Sequence, residues 1–432
     1  MLFLYFKDML IQFKVNNFCS IKDTAIFSMN TAGNKEVPHS FCARDYHLLN
    51  SAVIFGANAS GKSNVLKAMS FMRRLVLNRS KITQSIDKLP HEPFRLNTET
   101  ENASSSFEII FLKNDCKYRY GFEADDSTVY AEWLFVDKKG REARFFERDT
   151  ESKLLYINKQ KFKEGNGIKV PDNQLLIWKC DQQDGIVSRA ILRWFQTLNF
   201  IDGLKNEPYL HFALEQMQNN EAKLELLELL KTADLGIDDI KVDEQEVFWE
   251  QLKDIPLPAK IKQKLLEKQG SLTSIELQTS HKKYDKNNQL MGVELFELGK
   301  EESQGTQKFF ALSAPILDTL RDGKILLIDE LDASLHPQLS EAFIKLFHNP
   351  KYNKHNAQLI FATHDTNLLS RPELFEREQI WFTEKDQYGC TDLYSLLEFR
   401  KKNKGKDIRV SDNLEKHYLQ GRFGATPNLG VF

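Results

Sequence analysis

Apolar positions along the chain keep two different periods. The segment LIQFKVNNFCSIKDTAIFSM, from Leu10, alternates apolar and polar residues, breaks at Asn16 and Asn17 and then resumes. That pattern predicts two antiparallel strands. LLNSAVIFGA is a short apolar run ending at Gly56, as expected of a buried strand that feeds a loop. After Lys62 the apolar residues Val65, Met69, Met72 and Val76 follow the spacing of one helix face. Between about 107 and 157, the runs SFEIIFL, KYRYGFEA, AEWLFVD and ARFFERD are separated by polar turns and predict an antiparallel meander. Residues 188–270 read as mostly helical, with Gly236 placed to end the run NNEAKLELLELLKTADLG. SIELQTSHKKYDKNNQLMGVELFEL returns to a hairpin about DKNN. From Lys324, KILLIDE, SEAFIKLF and QLIFATH alternate strand and helix, the pattern of parallel β/α architecture.

The expected class is therefore α/β: a mixed sheet core, an antiparallel meander and an inserted, mainly helical region. The expected division is 1–187, 188–290 and 291–432, with the first and last parts forming one unit. The length of 432 residues suits one large domain or two ordinary ones. With 41% hydrophobic and 28% charged residues the chain is not of the disordered class. A net charge of -2 gives no global attraction to nucleic acid. It leaves open a local patch such as Arg400–Arg409, whose plainer reading is a solvated loop. The five cysteines are scattered without CxxC spacing, which argues against a disulfide framework or zinc site and for a reducing, cytoplasmic setting. The start, MLFLYFKDML, has too short an apolar run and no basic region for a signal peptide. Met9 opens a cleaner strand pattern and is an expected alternative start. No uncharged run approaches the ~20 apolar residues of a membrane span, so no membrane partner is expected.

Gly56, Ala57, Asn58, Ala59, Ser60, Gly61, Lys62 and Ser63 fit G-x-x-x-x-G-K-[ST], followed by Asn64. Glycines let backbone N–H groups converge on phosphate oxygens, and the N-terminus of the following helix adds positive charge. Lys62 is placed to neutralise β- and γ-phosphates, and the Ser63 hydroxyl to take one Mg²⁺ position. A strand before and a helix after give the motif its required context. A second element, KILLIDELDASLHP, ends an apolar strand in Asp329 and Glu330. That strand is expected beside the phosphate-loop strand, with Asp329 holding Mg²⁺ through water and Glu330 polarising the attacking water. Read alone, two acids at a strand end are also an ordinary solvated cap. ESQGTQKFF opens a helix with Ser303 and Gly305 at its N-terminus, and LIFATHD puts His364 at another strand end. His336, before Pro337, is read as a turn residue.

These residues resemble the ABC-type ATPase heads of the SMC, RecF and OLD group. Gly56–Ser63 looks like Walker A, Ser303–Gly305–Thr306 like a degenerate signature motif, and Asp329–Glu330 like Walker B with the catalytic glutamate. Asp332–Ala333–Ser334 looks like the D-loop and His364 like the switch histidine. The signature departs from LSGGQ, with Glu302, Gln304 and Thr306 at three of its positions. The Q-loop has only EPFRLN as a candidate. A narrower resemblance rests on NNFCSIKD, GANASGKSN, PFRL, YRYGFE, SQGTQKFF, ELDASLHP and YLQGRFGATP. These look like the RloA/AbiL-type bacterial ATPases of the AAA family, linked to abortive infection and restriction loci.

The resemblance implies a chain that binds ATP and Mg²⁺, pairs as a homodimer or higher homo-oligomer around the nucleotide, and hydrolyses it with Glu330 and His364. The nucleotide would lie against Gly56–Asn64, with Ser303 and Gly305 supplied by the other copy. The chain carries no nuclease constellation, so a separately encoded effector, a nuclease, is the expected partner in antiphage defence. Two alternatives stand beside this one: a RecF/SMC-like DNA-binding ATPase in DNA repair, and a binding module that uses ATP only structurally.

Overall fold

The computed structural model describes residues 8–248, 271–398 and 413–426. The basic run Arg400–Arg409, residues 249–270 of the segment read as helical, and Pro427 of the last motif lie outside them. The strands, in chain order, are β1 (Met9–Asn16), β2 (Ala25–Ser28), β3 (Ser40–Ala43), β4 (Tyr46–Leu49), β5 (Ser51–Gly56), β6 (Ser105–Lys113), β7 (Cys116–Ala124), β8 (Val129–Asp137), β9 (Glu142–Asp149), β10 (Leu154–Ile157), β11 (Leu198–Asp202), β12 (Asp239–Phe248), β13 (Ser271–Tyr284), β14 (Leu290–Glu297), β15 (Ile325–Asp329), β16 (Gln358–Ala362), β17 (Ile380–Lys385) and β18 (Thr391–Ser395).

By contacts the chain divides into two units, one of Met1–Leu204, Asp318–Ala333 and Ser340–Phe432, the other of Lys205–Leu317 and Ser334–Leu339. The first holds two large sheets. One runs β10-β9-β8-β7-β6-β1-β2, antiparallel throughout, and contains the expected meander. Its strands alternate buried and partly exposed residues, as in β6, because one face packs on the core. The other runs β11-β15-β16-β5-β17-β18, parallel except for the last strand. Here β5, β15 and β16 are buried at every residue, which explains their unbroken apolar runs.

Two expectations change. The strand ending in Asp329 is not beside the phosphate-loop strand, because β16 lies between β15 and β5. The cause is connectivity: β15, the helix Pro337–His348 and β16 form a β–helix–β unit, and consecutive parallel strands in such units settle side by side. Within the segment read as mostly helical, Asp239–Phe248 is a strand paired antiparallel with β13, and Leu198–Asp202 is another, paired in parallel with β15. The five residues of the latter, of mixed polarity, give no periodicity from which to recognise it.

The helix Lys62–Val76 packs its expected face, Val65, Met69, Met72 and Val76, into the main core. Phe71 on the same helix stacks on Phe107 of β6, with ring centroids 5.2 Å apart. Helix and both sheets thus share one hydrophobic interior. Gln358, fully buried on β16, ties the sheets together. Its Oε1 accepts from Leu10 N at 2.7 Å, and its Nε2 donates to Leu10 O and Leu49 O at 3.1 and 3.2 Å. In the second unit, helices Glu207–Met217 and Asn220–Thr232 accompany the antiparallel sheet β12-β13-β14 and the start of the helix Gln304–Asp322. No helix among the described residues is long and apolar enough to cross a membrane.

Replacing Gln358 with Leu fills the same space but orphans one buried donor and two buried acceptors. Unfolding free energy should fall by about 2–5 kcal/mol, read by urea denaturation, since each unsatisfied buried group costs ~1–3 kcal/mol. An unchanged midpoint would contradict the bridging role.

Candidate functional site

The turn between β5 and the helix from Lys62 is built around Gly61. Its φ of 109° is ready for glycine and strained for other residues, and a Cβ there would overlap Thr391 Oγ1. Ser60 N donates back to Ala57 O at 3.1 Å, curling the loop. Asn64 N and Val65 N donate back to Gly61 O at 2.9 and 3.3 Å, and the helix N-terminus places its partial positive charge at the loop. Lys62 folds over this loop. Its Nζ donates to Gly56 O at 2.8 Å and Ala57 O at 3.1 Å, and lies 3.4 Å from His364 Nδ1. Burial pushes the Lys62 pKa down to about 8, against the pull of Asp329, Asp332 and Glu330.

β15 delivers the acidic pair. Ser63 Oγ donates to Asp329 Oδ1 at 3.0 Å, so hydroxyl and carboxylate already adjoin, a hard oxygen pair of the kind that Mg²⁺ takes. Burial holds the Asp329 carboxyl above its ordinary range, with Asp202 on β11 adding to the shift against the Ser63 hydrogen bond. Glu330 sits at φ 55°, a left-handed conformation that is costly for a non-glycine residue. That turn aims it away from the strand axis and into the cleft. His364 follows β16, and Asp332 fixes it. The Asp332 carboxylate accepts from Thr363 Oγ1 at 2.6 Å and from His364 N at 3.3 Å. Partial burial, then the Lys62 charge, lowers the His364 pKa, favouring a neutral imidazole near neutral pH.

Asn58, Ala59, Ser60, Gly61, Lys62, Ser63, Asn64, Glu330, His364 and Lys385 line one cleft of about 770 Å³. Residues from four separate stretches of sequence meet there. Gly56 and Ala57 give their carbonyls to Lys62, and Asp329 adjoins Ser63. Ser303 and Gly305 belong to the second unit. There Ser303 is exposed and caps the helix Gln304–Asp322, its Oγ accepting from Thr306 N at 3.1 Å. Glu302, beside it, is held by His281 Nε2 at 2.6 Å.

Several residues that motif reading passed over support the loop. Ser20, in the turn after β1, lies 2.7 Å from Thr391 Oγ1 and accepts from Asn64 Nδ2 at 2.6 Å. Thr391 Oγ1 donates to Ser60 O at 2.7 Å, and Ser60 Oγ lies 2.6 Å from Thr383 Oγ1. This hydroxyl brace joins the start of the chain, the loop and the β17–β18 hairpin. Gly203 backs the acidic turn: its N–H donates to Asp329 O at 2.8 Å, and a Cβ would overlap the carbonyls of Asp329 and Glu330. Only the Ser20 neighbourhood carried a signal, through NNFCSIKD. The described part of the last motif, 418–426, lies on the β17–β18 side. Tyr418 stacks on Phe382 at 5.6 Å, and Tyr394 Oη donates to Phe423 O at 2.6 Å.

Thr391→Val keeps the shape but leaves Ser60 O without its donor. We expect about 1–3 kcal/mol lower stability in thermal or urea unfolding. Unaltered stability would show that the hydroxyl brace carries no load.

Residues 51–370 match the family described as "AAA domain, putative AbiEii toxin, Type IV TA system". No curated protein matches the chain. Among solved structures, the recombination mediator protein RecF with ATPrS in the RecFOR pathway is similar at 12% identity and TM-score 0.34, covering 90% of this chain and 98% of that one. RecF with ATP is similar at 14% identity and TM-score 0.36, covering 91% and 100%. With 51–370 of its 432 residues inside the match, and the phosphate loop, Asp329, Glu330 and His364 all within it, the chain belongs to this family of AAA-domain ATPases.

Proposed function

We propose that the protein binds ATP with Mg²⁺, closes as a homodimer around it, hydrolyses it, and through that cycle controls a separately encoded effector, a nuclease, in antiphage defence. The carrying observation is the convergence of the phosphate loop, Glu330 and His364 on one cleft, with Ser63 and Asp329 paired beside it. In this reading backbone N–H groups of Gly56–Asn64 and the Lys62 ammonium hold the phosphates, while Ser63 and Asp329 hold the cation. Mg²⁺, when bound, neutralises phosphate charge. Glu330 takes the proton of the attacking water, and His364, positioned by Asp332, donates a hydrogen bond to the terminal phosphate.

The pairing step rests on the exposed Ser303 cap, a helix N-terminus offered to an anion on a second copy. The defence role rests on the family's abortive-infection name and on the motifs quoted above. The DNA-repair alternative rests on Arg400–Arg409. It would be favoured by duplex binding that weakens steeply with salt.

Glu330→Gln should bind ATP and accumulate as a dimer in sedimentation or light scattering, while Ser303→Arg should bind ATP but neither pair nor turn over. A Glu330→Gln protein that stays monomeric with saturating ATP and Mg²⁺ would overturn the pairing. Burial has lowered the Lys62 pKa to about 8, and phosphate binding favours the charged ammonium. ATP affinity should therefore hold below pH 8 and weaken above it, approaching about tenfold per pH unit by linkage. A flat titration profile from pH 7 to 9.5 would remove Lys62 from the phosphate contact.

A further inference from the structure

We infer that Lys385 is a second cation for the nucleotide's phosphate chain, contributed by β17 from the side of the loop opposite the acidic pair. This inference rests on the nucleotide reading of the cleft and deepens it. β5 has two neighbours in the parallel sheet. β16 carries His364 beyond its end and has β15, with Asp329 and Glu330, on its far side. β17 is the other neighbour, in parallel register with Thr383 opposite Gly56. Lys385 therefore lies two residues past the start of the phosphate loop, at the end of the sheet where the loop emerges.

The alternation of side chains along a strand sets its direction. Thr383 and Lys385 share one face of β17, and Thr383 Oγ1 meets Ser60 Oγ of the loop at 2.6 Å. Glu384, between them, points the other way, toward Tyr394 Oη. Lys385 accordingly lines the same cleft as Asn58–Asn64. Its backbone is not free to wander. It pairs with Thr391 on β18, and Thr391 is the residue hydrogen-bonded to Ser60 O at 2.7 Å. Phosphate loop and Lys385 thus belong to one rigid frame, with only the lysine stem left to adapt.

Chemistry favours phosphate as what this ammonium meets. Lys385 is exposed and makes no ion pair among the described residues, so its charge is available to a ligand. Lys62 already shares its Nζ between two loop carbonyls. A nucleoside triphosphate brings several negative charges into a cleft whose other charged side chain at the surface is Glu330. A flanking lysine offsets that load, and as a charge-assisted contact it is stronger than a neutral one.

The test is calorimetric titration with ATP and, separately, with inorganic tripolyphosphate, on the full chain and on Lys385→Ala, Lys385→Arg and Lys62→Ala. Lys385→Ala should weaken both ligands by about three- to tenfold, as removal of one partly solvated charged contact does. Lys385→Arg, which keeps the charge, should stay within about twofold of the parent. Equal losses for ATP and tripolyphosphate place the contact on phosphate. A loss confined to ATP would assign Lys385 to the nucleoside and overturn the inference. Lys385→Ala binding both ligands like the parent, while Lys62→Ala loses them, would also overturn it and leave the phosphate-loop reading intact. Failure of the parent chain itself to bind either ligand would instead remove the reading on which the inference stands.

Discussion

Space around Gly61 is filled from two directions. Thr391 of the β17–β18 hairpin and Ser20 of the turn after β1 both approach where a side chain would begin. The same two hydroxyls bond to each other and, through Thr391, to Ser60 O. The phosphate loop is thus clamped by backbone geometry on one side and by hydroxyls on the other. A loop that must present N–H groups to an anion gains from being fixed before the ligand arrives, because less ordering is left to be done on binding. Everything that the cleft offers is arranged around this clamp.

The acidic side of the cleft has a comparable support. Gly203 leaves room for the carbonyls of Asp329 and Glu330, and the positive φ of Glu330 turns its side chain into the cleft. Strain of that kind persists where surrounding structure over-determines it. β11, supplied by a segment far from the motifs, is what does so here. Asp332 performs the same service for His364 through two hydrogen bonds. Glycine and carboxylate therefore position Glu330 and His364, which line the cleft, without lining it themselves.

The second unit presents the Ser303 cap and anchors its neighbour Glu302 on β13 through His281. The Glu302–Thr306 segment is thus built into a sheet and helix rather than left as a free loop. Its cap satisfies its own helix, a structural role that any serine at that position would fill, and it leaves the turn exposed. Those two facts are compatible, because the Ser303 oxygen satisfies one N–H while the remaining N–H groups of the first turn keep partial positive charge at that end of the helix.

What the sequence determined by itself is what local physics dictates. The Gly56–Ser63 loop, the face Val65–Met69–Met72–Val76, the buried runs of β5, β15 and β16 and the meander all follow from period, burial and backbone need, which a linear string records. Strand order was not recorded there. β16 separates β15 from β5 because pairing follows the β–helix–β connection, and β11 joins the sheet with no periodic signal to announce it. Nor could the string show Ser20, Thr383 and Thr391 meeting at the loop, or Lys385 turning toward it. Single hydroxyls and a strand-end lysine look alike everywhere in a sequence; only long-range packing, which brings residues about 330 positions apart within hydrogen-bond distance, gives them a role.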